Sequence, residues 1–487
     1  MKTRSINRIS LTLILFAMFG CILSFLIQFL PFSLTVKIGL SLIFVAFAYL
    51  LMISNCIRYK GITNVVFIML CLSVFFYFGQ HLVALFDPNY LINEQSHSIL
   101  DGILSDEIII QATFMVLNCM LLMTAGFLAK NELYRYSDIQ SASFEYDTDV
   151  LNKKLKALKY VSILFVVISI YPTIKYLSAQ NALTQSYGYL GRRWLEDEAN
   201  YYQLLGVSPM EIMISNFFLP AVYGLLISAR SKKGRNLAYI LVGLYIVLYL
   251  FTGSRYNILK ILVSLFLIQV IWIKPLVKRD IKKYVLIGMI MIGVLTVTSV
   301  ARNVSTGMDW GNALSEELGM SPTLWESGIT FTSVSNVIDK CPSQVDFFYG
   351  KSWIGGVLQC LPSFLRFGFF DKYTIVTSST FSHLYYNTTN FGYGSSFIAE
   401  GYYNFGYLLY PIVFFFGIFL GWINEKLKQV RLAESPFLFL VLAYVCGEIA
   451  YGIRNDLSSV IRICLTSVII VAATAAVFNN ITKIADK

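Results

Sequence analysis

The sequence predicts an all-α polytopic membrane protein of about twelve transmembrane helices with a large extracytoplasmic loop, and three observations carry that prediction. Of 487 residues, 56% are hydrophobic and 14% charged, with a mean hydropathy of +0.65, a balance foreign to water-soluble globular chains. Apolar runs long enough to span a bilayer recur from one end of the chain to the other. The Lys and Arg residues between the runs gather in alternate connections, which is how membrane topology is written.

In order, the runs lie at 9–31, 34–54, 63–86, 107–129, 160–178, 209–229, 236–252, 257–273, 284–301, 405–424, 436–453 and 457–478. The first follows Lys2, Arg4 and Arg8 as a signal peptide would, but it is too long and lacks a small-residue cleavage site, so it reads as a retained span. With both termini in the cytoplasm, the inside segments include Arg58-Tyr-Lys60, Lys130 to Lys159, Arg230 to Arg235, Lys274 to Lys283 and Lys426 to Arg431, and together hold about 25 of the 38 Lys and Arg. Outside segments lean acidic, as at Asp101, Asp106 and Glu107 or Glu196-Asp-Glu198. The net charge of +10 is thus a topology signal and gives no reason to invoke nucleic acid.

No internal repeat, low-complexity tract or soluble domain stands out, so residues 1–487 read as a single integral membrane domain. The inside loop 130–159, mixed in charge, reads as a solvated connector. Two outer segments remain, at 179–208 and 302–404. The second carries Trp310, Trp325, Trp353 and many Phe and Tyr between Phe364 and Tyr403, a composition that fits interfacial or re-entrant helices. A structural cap is the alternative, against which stand Arg366, Asp371, Lys372, His383 and Glu400, a mixture suited to a polar substrate.

Several chemistries lack their signatures. Six of the eight cysteines lie at or near spans, where a thiol is a small apolar residue. Cys341 and Cys360 share the outer loop, as a disulfide or as two free thiols. His81, His97 and His383 have no Cys or carboxylate at ligand spacing, so no metal is expected. No Gly-rich phosphate loop follows a strand, which argues against a nucleotide-driven machine and implies no cofactor.

What the chain does carry is arginine at breaks between spans: Phe251-Thr-Gly-Ser-Arg-Tyr-Asn257, Ser299-Val-Ala-Arg-Asn303 and Tyr451-Gly-Ile-Arg-Asn-Asp456. The topology puts Arg255, Arg302 and Arg454 on the outer side. A guanidinium fork matches phosphate oxygens, and a lipid diphosphate holds its head group at that depth. The bland alternative is an interfacial side chain or an ion pair; it is strongest for Arg454, with Asp456 nearby, and weaker for Arg255 and Arg302. Arg192 and Arg193, just before Glu196-Asp-Glu198, divide between salt-bridge network and ligand surface. Arg462, two turns into the last run, reads as facing the bundle interior.

The chain resembles the Wzy-type oligosaccharide repeat unit polymerases that build O-antigen and capsule. The resemblance rests on about a dozen spans, Gly253-Ser-Arg255, the long outer loop, and Gly394-Ser-Ser-Phe-Ile-Ala-Glu-Gly-Tyr-Tyr-Asn-Phe-Gly406 before the next run. It implies a glycosyltransferase-C-like, metal-independent enzyme of the bacterial plasma membrane. Such an enzyme moves a growing glycan from polyprenyl diphosphate to the non-reducing end of a lipid-linked repeat unit at the outer face, with a chain-length regulator as a possible partner. On that reading Arg255 and Arg302 clamp the donor diphosphate, and Arg366 and Arg454 assist it or the acceptor's diphosphate. The base is His383 or Glu400, ahead of Asp371 and Glu326. Glu400 is alternatively a sugar ligand or a helix cap, and His383 a plain aromatic contact. Tyr393, Tyr402, Tyr403 and Asn404 form a sugar-binding rim or interfacial anchors. A glycan ligase shares this layout, whereas a flippase would carry polar groups near the middle of several spans.

Overall fold

The structure, a computed structural model, describes residues 2–94, 98–100, 102–130, 148–195, 201–253, 257–274, 319–361, 394–432 and 435–485, with 300, 309 and 311. Among the described residues every regular element is helical, because only helices and closed barrels pair all their backbone groups in hydrocarbon. In chain order the helices are α1 (Lys2–Gln28), α2 (Leu34–Lys60), α3 (Val65–Phe86), α4 (Asp106–Ala129), α5 (Thr148–Leu195), α6 (Tyr201–Leu205), α7 (Pro209–Ser215), α8 (Phe218–Ser228), α9 (Lys232–Phe251), α10 (Asn257–Leu267), α11 (Met320–Gly328), α12 (Thr330–Lys340), α13 (Lys351–Leu358), α14 (Phe397–Phe405), α15 (Leu409–Leu432), α16 (Pro436–Tyr451), α17 (Leu457–Thr466) and α18 (Val468–Ala485).

Nine stretches among the described residues are long and apolar enough to cross a membrane. Two further expected runs are the shorter apolar helices Asn257–Ile273 and Pro436–Tyr451, and the run at 284–301 lies, apart from Val300, outside the described residues. The run expected at 405–424 starts earlier, because α14, a 3₁₀ turn at Gly406–Leu408 and α15 join into one apolar stretch, Phe397–Gln429. Gly406 makes that join possible: its φ is 56°, and a side chain there would meet the Phe347 ring. The segment expected as an outer loop at 179–208 begins inside α5, which is helical to Leu195.

The chain divides into two compact units. One comprises Met1–Leu133, Leu318–Glu425 and Ile449–Val460. Its helices approach through glycine: a Cβ on Gly126 would collide with the Phe414 carbonyl, one on Gly417 with the Met123 carbonyl, and one on Gly79 with the Leu324 carbonyl. Small residues let membrane helices gain close backbone packing where no hydrophobic force separates helix from lipid. Helix α12 lies deep in this unit, with Thr330 to Ile338 all buried.

The other unit comprises Tyr134–Glu317, Lys426–Glu448 and Ile461–Lys487. Helix α5 is its spine, and Gly224 of α8 packs on the Ser162 hydroxyl. Helix α7 opens with a capping box: Ser208 Oγ accepts from Glu211 N at 3.2 Å, and Glu211 Oε2 accepts from Ser208 N at 2.7 Å. Glu211 also pairs with Lys175 of α5 at 2.7 Å. Trp272 donates to the Ile227 carbonyl at 2.9 Å and lies against Phe439.

The glycine contacts define a test. Gly417→Leu should destabilise the protein by about 1–3 kcal/mol through overpacking. Gly243→Ala, inside α9 where nothing lies within 4 Å, should raise stability by about 0.5–1 kcal/mol. Thermal unfolding of the purified variants in detergent reads both.

Candidate functional site

The stretch Gly394 to Gly406 is a built junction. Ser396 is extended and accepts from Ala399 N at 3.0 Å through its hydroxyl, which starts α14. One residue on, Phe397 N donates to the Gly452 carbonyl at 2.9 Å, tying the start of α14 to the turn between α16 and α17. The first turn of α14 then carries Glu400, which has no exposed surface.

The Glu400 carboxylate is met on both oxygens. Oε1 accepts from Ser352 Oγ at 2.6 Å, and Oε2 accepts from Leu457 N at 2.5 Å and Ser458 N at 3.2 Å. Those two amides open α17. Its other cap is Asp456, whose Oδ2 accepts from Ser459 N at 2.7 Å and Ser458 Oγ at 3.0 Å. Two carboxylates thus stand at one helix N-terminus, where free N–H groups and the helix dipole favour negative charge. Helix α13 closes in from the side, since a Cβ on Gly356 would strike the backbone of Ser458. Asn404 completes the chain of contacts: its Nδ2 donates to Ser352 Oγ and to the Glu400 carbonyl, both at 2.8 Å. Backbone bonds from Phe348 N to Tyr403 O and from Tyr349 N to Asn404 O brace α14, and the Tyr403 ring stacks on Phe348.

Arg454 sits two residues before Asp456 and reaches elsewhere. Its Nη1 donates to Thr330 Oγ1 at 2.9 Å and lies 3.3–3.4 Å from the Ser327 and Glu326 carbonyls in the last turn of α11. Its guanidinium also covers the Phe76 ring at 5.5 Å. A cation at a helix C-terminus complements the dipole. Beside this junction an apolar groove of about 260 Å³ runs along α15, lined by Trp353, Phe397, Val413, Phe416, Phe419 and Leu457.

Of the residues singled out in the sequence, Glu400, Tyr403 and Asn404 come together with Ser352 and Asp456, and all five are buried. Arg454 shares the 452–456 turn. Arg192 and Arg193 lie in the last turns of α5. Arg255, Arg302, Arg366, His383 and Tyr393 lie outside the described residues. Cys341 and Cys360 are free thiols, and burial, with Asp346 adding, pushes the Cys341 thiol up to about 11. Among the described residues no three His, Cys, Asp or Glu side chains are placed to hold a metal ion. Ser352 and the capping role of Asp456 went unread in the sequence. The pattern Asp456-Leu-Ser-Ser459 is a readable N-cap, whereas Ser352 has no local signal.

The sequence model of the family described as O-antigen polysaccharide polymerase Wzy matches residues 9–483, nearly the whole chain. No curated protein and no solved structure matches it.

Removing the Glu400 carboxylate leaves two helix N–H groups and a hydroxyl without their acceptor. Glu400→Ala should therefore lower stability by about 2–4 kcal/mol, and Glu400→Gln, which keeps one carbonyl oxygen, by about 1–2 kcal/mol. Denaturant or thermal melts in detergent check the order; a Glu400→Ala protein as stable as wild type would contradict the cap.

Proposed function

The chain belongs to the O-antigen polysaccharide polymerase family Wzy, and from that premise we propose a specific reaction for it. The growing glycan passes from polyprenyl diphosphate to the non-reducing end of an incoming lipid-linked repeat unit, at the outer face of the bacterial plasma membrane. The observation that carries this reading is the family match over 9–483, joined to a run of apolar helices that suits a substrate held by a lipid.

The acceptor hydroxyl oxygen forms a bond to the anomeric carbon as that carbon's bond to the diphosphate oxygen breaks. The electron pair leaves with the diphosphate, and the hydroxyl proton passes to a base. Because the leaving group is already good, the protein's task is to neutralise developing charge and take one proton, which guanidinium groups and a side-chain base do without a metal. Arg255 and Arg302 clamp the donor diphosphate; Arg366, Arg454 and the Arg192-Arg193 pair serve the acceptor's diphosphate and approach.

Between the two leading base candidates, we favour His383. Glu400 already accepts three hydrogen bonds at a buried helix end, which supports a positioning role beneath the site. Tyr393 belongs to the sugar rim, with Tyr403 and Asn404 shaping that rim from below. The groove lined by Trp353, Phe416 and Phe419 fits an isoprenoid tail by its apolar lining. A chain-length regulator is a further proposed partner.

Deleting the gene in its host and resolving surface polysaccharide on a gel tests the reading. The long-chain ladder should vanish while a single repeat stays attached to the surface lipid. Complementation with Arg255→Ala should lower polymer formation by about 10²–10³-fold, and with His383→Gln by about 10²–10⁴-fold. Polymer accumulating on its carrier lipid would point to a ligase, and single lipid-linked units trapped at the inner face to a flippase.

A further inference from the structure

Within the second unit, a cavity of about 160 Å³ opens among α5, α7, α8, α9, α10 and α16. Its walls include Asn216, Tyr245, Tyr249, Asn257, Lys260 and Tyr444. Polar side chains in an apolar bundle gather around a cavity when they serve a ligand or a pathway. Lys260 Nζ meets both oxygens of Glu448, at 3.1 and 3.2 Å, and the Glu448 side chain is only 3% exposed. The pair ties α10 to α16, where Gly447 brings the two backbones together.

A helix-to-helix tie explains the ion pair but leaves the rest of the wall unexplained. Asn216 and Asn257 bring neutral amides to the wall and Thr173 and Ser215 hydroxyl oxygens whose protons go to backbone carbonyls, and four tyrosines line it as well, a mixture of polar groups and aromatic rings that suits a sugar. An anion fits poorly, because the lysine is already neutralised in a two-oxygen pair and any phosphate beside it would face the Glu448 carboxylate. The volume is well under the roughly 300 Å³ at which pockets for drug-sized ligands begin, so it takes one ring rather than a chain. Asn257 lies two residues after Gly253-Ser-Arg255, and Tyr249 one turn before that stretch, at the end of these helices that the charge pattern assigns to the outer face.

We propose that this cavity, held open by the Lys260–Glu448 pair, is a sugar subsite that binds one neutral monosaccharide residue of the repeat unit. The proposal rests on the polymerase reading and adds a binding site to it.

The test uses the full chain in lipid nanodiscs and, as probe, the free oligosaccharide released by mild acid from the host's own lipid-linked repeat unit. Binding is followed by thermophoresis. Wild type should bind, and Asn257→Leu should weaken binding by about tenfold or more with its melting temperature unchanged. If that variant does not fold, Tyr249→Phe, which removes one hydroxyl, should weaken binding measurably. Sodium pyrophosphate should not compete. No binding by wild type, equal binding by the folded variants, or full competition by pyrophosphate would overturn the subsite. A ladder lost on gene deletion alongside any of these results removes the subsite and leaves the polymerase reading standing.

Discussion

The start of α17 is half-buried, with Ser458 fully so, and its amide donors find acceptors inside the protein. Asp456, the residue just before the helix, and Glu400, on a helix more than fifty residues earlier, supply them. A helix end without partners in an apolar surrounding is strongly disfavoured, so this requirement fixes where α14 can lie. Ser352 and Asn404 then follow: the serine hydroxyl gives its proton to Glu400 and takes one from Asn404. Arg454, on the same turn, is held by the closing carbonyls of α11. One turn of seven residues, 451–457, therefore gathers α11, α13, α14 and α17.

That arrangement assigns a physical purpose to the Glu-Gly-Tyr-Tyr-Asn-Phe-Gly stretch. Its glutamate and asparagine face inward on α14, where they hold neighbouring helices, and Gly401 packs on Leu409 where a side chain would clash. The stretch thus fixes α14 against α13 and the start of α17.

Much of the fold was legible before any coordinates. Apolar length alone marked α1 to α4, since the bilayer dictates it, and the long-span expectations at 209–229, 236–252 and 457–478 correspond to apolar helices. Less legible was the start of the run at 405–424. Glu400, Tyr402, Tyr403 and Asn404 read as loop because their polarity breaks the hydropathy signal, yet α14 buries those groups against partners that hydropathy does not see. A helix cap is one of the roles the sequence offers for Glu400; the helix it caps is α17, across the chain, rather than the one that follows. For Arg454 the neighbouring Asp456 drew attention, while the carbonyls of α11, over 120 residues away, carry no sequence pattern at all. Ser352 and the α5–α10 cavity were invisible for the same reason: each depends on contacts between distant segments.

The central claim is that this chain elongates glycans on their lipid carrier. Purified protein in liposomes, given only the host's lipid-linked repeat unit, tests it most directly. The account predicts a ladder of longer lipid-linked products with free polyprenyl diphosphate released in step with each added repeat. Intact single units after prolonged incubation, with the protein folded and both leaflets accessible, would contradict it.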